Sequence, residues 1–162
     1  MNIQPIRLLK GMHEDTASTG QGCFMNVIAY LNGESQITDT SPCVCVTVRL
    51  LAINLNDFGT EEQRQRLLPF VLRAMGSATQ DAKVLDARVA RLRKYGEECA
   101  ELMRNASAYA YANADAYADA DAVRASLFDA GLRFLDDVLP AAEQVSPVVA
   151  ERCETLVKLQ AA

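Results

Sequence analysis

The chain holds one histidine, His13, and five cysteines, at positions 23, 43, 45, 99 and 153. A catalytic triad or an imidazole-bound metal would have to be built on that single ring. His13 stands beside Asp15–Gly22, a run with the composition of a loop, so a surface residue without a chemical role is the stronger reading. Cys43 and Cys45 are two positions apart, which on a helix turns their thiols about 200° from each other. They cannot share an ion as a C-x-x-C pair does. Cys23 could approach Cys43 if the helices carrying them pack, but a buried cysteine acting as a small apolar residue is the commoner arrangement. The odd count and wide spacing argue for free thiols in a reducing compartment. No G-x-S-x-G, phosphate-binding P-loop or G-x-G-x-x-G occurs in the chain, and nothing in it implies a cofactor or a resident metal.

Three charged or aromatic groups are left as binding candidates. Arg88, Arg91 and Lys94, with Arg93 among them, could hold a phosphate or an acidic partner. A solvated helix face pairing with Asp86, Glu97 and Glu98 explains them equally well. Glu34 and Asp39 bracket the polar loop 33–40 and could accept from a ligand or hold a cation, or serve as turn and cap residues. An enzyme would have to work with these two carboxylates and a cysteine, so a non-enzymatic protein is expected. Tyr109 and Tyr117, with Asp115, Asp119, Asp121, Asp136 and Asp137, form a candidate partner-binding surface. Its negative charge could occupy a nucleic-acid-binding groove on another protein.

The net charge is −5, and all of that excess falls within residues 105–145, because 1–104 and 146–162 are each balanced. An acidic chain of this kind disfavours direct nucleic-acid binding. No apolar run reaches the length of a membrane span, and Met1–Lys10 lacks a leader-like apolar core. A cytoplasmic protein is expected. With 25 alanines among its apolar residues, the chain has large side chains enough for one core, hence one domain over 1–162, with 1–21 as a loosely ordered arm.

The elements that would position these residues read as helices. Phe24, Val27, Ile28 and Leu31 make one apolar stripe, closed by Asn32-Gly33. Residues 43–55 hold β-branched residues that would suit a strand. Ser41-Pro42 as N-cap and first residue, with Val44, Val48, Leu51 and Leu55 at helical spacing, favours a helix. Thr60 and Gln63 spell a capping box, and Pro69 demands a kink or a fresh start. A helix over 80–95 should bury Leu85, Val89 and Leu92, keep its basic residues mostly outside, and stop near Gly96. Alanine fills every even position from 106 to 122. Its helix propensity predicts a long helix from about 97 into the 110s, broken near 113–115, with a disordered segment as the alternative. Val123 to Leu139 and 147 onward complete the set. The expectation is all-α: a compact bundle of roughly six to eight helices, with the alanine-rich segment near 97–122.

One spaced set carries a resemblance. Gly22-Cys23-Phe24-Met25, Ala29-Tyr30, Gly33-Glu34, Thr38-Asp39 and Pro42-Cys43-Val44 come first, followed by Asn54, Asp57 and 64–69. It is similar to a family of uncharacterised proteins from actinobacteria and their phages. The similarity spans residues 22–76. Where that family has a histidine after the aspartate, this chain has Thr40, which withdraws any role for such a ring. The resemblance implies a helical fold and a phage or bacterial source. It leads to the expectation of an interaction protein that binds a host protein through a helical acidic surface, as an inhibitor of bacterial defence would. A nucleotide-binding sponge using Arg88, Arg91 or Lys94 is the alternative. A homodimer through the alanine- and tyrosine-rich helix is a further expectation.

Overall fold

The computed structural model describes residues 6–112, 116–141 and 145–161, and their side chains except those of 108–119. It is all-α, with eight helices among these residues. No strand is present there, only one parallel bridge between Leu8 and Gly22. The helices group into two compact units. The first spans residues up to Thr79 and from Leu139 onward, and the second spans Gln80–Val138.

In the first unit, α1 (Thr16–Thr19), α3 (Val46–Phe58), α5 (Leu68–Ala74) and α8 (Pro147–Ala161) all pack on α2 (Phe24–Asn32). That explains why α2 is apolar nearly all round, with Phe24, Met25, Val27, Ile28 and Ala29 fully buried. Its first turn is closed by Asn26, whose Oδ1 accepts the Cys23 amide at 3.3 Å. Its end is fixed at Gly33, with φ +78°. A β-carbon there would lie 2.0 Å from the Arg152 guanidinium, which instead donates to the Leu31 carbonyl at 3.2 Å. Both the left-handed turn and this close approach require glycine.

The helix expected over 43–55 exists, but it starts at Val46 rather than behind a Ser41 cap. Ser41 is fully buried, and its hydroxyl turns to Glu34 and to Cys43 Sγ, so it is not available at a helix terminus. The capping box is as expected: Thr60 Oγ1 accepts the Gln63 amide and Gln63 Oε1 accepts the Thr60 amide, opening α4 (Glu61–Gln65). The chain restarts as α5 with Pro69 in its first turn, where the missing amide costs nothing.

Of the segment expected to be an arm, the described residues 6–21 are held down within the first unit. Ile6 and Leu8 are buried, and side-chain amides occupy the backbone along it. Gln65 bonds both the amide and the carbonyl of Leu8 at 2.9 Å. Asn56 donates to the Leu9 carbonyl, Asn26 accepts the His13 amide, and Gln160 bonds both sides of Arg7. A polar, pattern-poor sequence conceals this, because the partners are amides distant in the chain.

The second unit is a hairpin of α6 (Ala82–Ala112) and α7 (Ala116–Val138), which pack on each other. Gly96 does not interrupt α6: the helix runs straight through it. The cost of one glycine, about 1 kcal/mol, is small against a helix of this length docked on a neighbour. The alanine-rich stretch is helical up to Ala112 and again from Ala116. The break expected at 113–115 lies outside the described residues.

Candidate functional site

The hairpin also reverses the expected inside and outside of α6. Leu85, Val89 and Leu92 are 37%, 44% and 39% exposed, and Met103 is 52% exposed. Arg88 is buried instead, and the Arg91 side chain is only 14% exposed. The reason lies on α7. Phe134 is fully buried and receives the Arg91 guanidinium 5.7 Å from its ring centroid, with Tyr95 packed at 5.6 Å on the same ring. An aromatic face next to a carboxylate takes an arginine's aliphatic stem and charge together, whereas leucine would leave that carboxylate without a cation.

The carboxylate is Asp137, which pairs with Arg91 across the hairpin; Arg133 pairs likewise with Glu98. These residues, with Lys94, Glu97, Glu101 and Asp136, line a shallow groove of about 480 Å³. The groove brings together two of the predicted anion-binding residues, Arg91 and Lys94, and two of the predicted partner-binding ones, Asp136 and Asp137. Four of its eight charged residues are engaged with one another in these two pairs. Burial against Phe134, with Cys99 and Glu98 close by, pushes the Tyr95 phenol well above its ordinary range, so it stays protonated.

Other candidates are dispersed. Asp121 pairs with Arg124 one turn away, at 3.1 Å. Tyr109, Asp115, Tyr117 and Asp119 fall outside the described side chains. In the first unit, Glu34 braces its own loop, accepting from Asn32 at 3.0 Å and from Ser41. Burial raises the Cys23 thiol, and the negative charges of Asp57 and, least, Asp39 add to the effect. All five cysteines are free, and Cys23, Cys45 and Cys153 are buried, as small apolar residues are. His13 Nε2 lies 3.1 Å from the Lys10 carbonyl, a local contact.

The exposed stripe Leu85, Val89, Leu92, Met103 was not expected from the sequence. Its spacing of 4, 3 and 11 residues was visible, but spacing alone does not say which of two adjacent faces meets a neighbouring helix. No described helix is long and apolar enough to cross a membrane. No protein-family model, curated protein or solved structure matches this chain.

Proposed function

We propose that this chain is a non-enzymatic protein-interaction module whose working surface is the exposed apolar stripe of α6. The supporting observation is that Leu85, Val89, Leu92 and Met103 recur on one helical face at the spacing of interlocking helix knobs, and all stand at least a third exposed. A continuous apolar face on a helix rimmed by charge marks a surface that another protein covers. The acidic version of this idea, with aspartates as the contact, has less support, since Asp137 and Asp121 are each paired with an arginine of the hairpin. The sponge reading is weakened in the same way, because Arg91 is engaged by Asp137 and Arg88 is buried. A host protein bound by a helical surface, the partner class expected from the sequence, fits an apolar face as well as an acidic one.

The test is a photo-crosslinking side chain placed at Val89 of the full chain in bacterial cells, with one at Ala87 on the opposite face of α6 as control. Adducts with a protein chain from position 89 and not from 87 support the reading. No adduct from 89, or equal adducts from both positions, overturns it.

A further inference from the structure

We infer that the α6 stripe from Leu85 to Gly96 is covered by the same segment of a second copy of this chain, running antiparallel. This rests on the interaction reading above and names its partner.

The positions 85, 89, 92, 96, 99 and 103 alternate by four and three residues over nearly three heptads, the seam of a two-stranded helical contact. They carry Leu, Val, Leu, Gly, Cys and Met, and all but the partly buried Cys99 are exposed. In an antiparallel pair centred between Ala90 and Arg91, Val89 of each copy faces Leu92 of the other. Leu85 of each copy then faces Gly96 of the other. A β-carbon built at Gly96 meets nothing within 4 Å, so that point of the surface is open. Large residues meet a gap at both ends of the contact, as a close-packed seam requires. The arrangement is self-complementary, which is what a twofold pair needs.

Charge selects this register and orientation. Asp86 and Arg93 are exposed and directly follow Leu85 and Leu92, so they flank the seam on the side away from Arg88 and Tyr95. In the register described, Asp86 of each copy stands beside Arg93 of the other, giving two attractive pairs. Sliding by one heptad sets Arg93 beside Arg93 in one direction and Asp86 beside Asp86 in the other. A parallel pair sets Asp81 beside Asp86, like charge against like. This register therefore satisfies the flanking charges together with the four layers from 85 to 96, while Met103, whose counterpart would be position 78, lies beyond the contact.

The experiment is sedimentation equilibrium of the full chain across micromolar to sub-millimolar concentrations, with thermal melts at the lowest. The parent chain is expected to dimerise. Asp86→Arg should weaken the dimer about tenfold or more, by replacing two attractive pairs with two repulsive ones. Asp86→Arg with Arg93→Asp restores opposite charges in each pair and should return the affinity to near that of the parent. All variants should melt within a few degrees of one another, since both positions are exposed. A parent that stays monomeric, a dimer indifferent to Asp86→Arg, or a double variant as weak as the single overturns the inference. A monomeric protein that still crosslinks from position 89 to another chain removes the second copy and keeps the interaction reading. No adduct with any chain removes both.

Discussion

At the scale of single residues, a few buried polar groups decide how the first unit closes. Asn56 is fully buried, and its Oδ1 accepts the Phe24 amide at 3.2 Å while its Nδ2 donates to the Leu9 carbonyl at 2.9 Å. It joins the start of α2 to the N-terminal segment. Asn56→Ala leaves both backbone groups without their partner and should cost about 2–3 kcal/mol in urea unfolding. A loss within experimental error would show that water replaces the side chain. Burial also raises the thiols of Cys23 and Cys153 above their ordinary value of 9.0, and it raises the Tyr95 phenol. The sign follows from proton binding. Above pH 9 the unfolded chain releases these protons first, so the stability they contribute is complete below that pH and is lost as pH rises toward the folded values. Unfolding free energy should therefore fall as pH rises above 9, and more shallowly in Cys153→Ala. Equal slopes in the two proteins would exclude this thiol as a contributor.

At the scale of elements, Gly96 is the plainest test of α6. It lies within a continuous helix, and the space beside it is open. Gly96→Ala should stabilise the dilute protein by about 0.5–1 kcal/mol, through reduced backbone freedom in the unfolded chain. A loss of stability would mean that the helix bends or pauses at that point. The same position shows where the sequence was legible and where it was not. Caps and breakers act within a few residues, so α2 ending at Gly33, the Thr60–Gln63 box and the restart at Pro69 could all be read directly. Gly96 resembles a breaker locally, yet the docking of α7 along α6 outweighs its propensity. Ser41 failed as a cap for a related reason: Glu34, seven residues earlier, holds its hydroxyl. The orientation of α6 was hidden for the longest-range reason. Phe134 and Asp137 reach Arg91 from more than forty residues away, and no window of local periodicity contains that information.

At the scale of the whole molecule, the two units differ in how their helices are buried. In the first, α2 is covered from several directions by α1, α3, α5 and α8. In the second, α6 and α7 have each other, and α6 keeps an apolar face exposed. A helix covered on one side opens at lower free energy than one enclosed by four neighbours. Native-state hydrogen exchange should therefore resolve two cooperative openings. The amides of 24–31 should exchange only through global unfolding, with a steep urea dependence, and those of 84–103 through an easier opening with a shallower one. A single opening shared by both sets would mean that the hairpin has no stability of its own to lose. Protein concentration adds a second axis to this measurement. An apolar stripe covered by a second copy must gain protection as the protein is concentrated, while α2, already enclosed, must not. Concentration-dependent protection confined to 84–103 would locate the contact on the face that Leu85, Val89 and Leu92 leave open. Protection rising equally in both units would place it elsewhere.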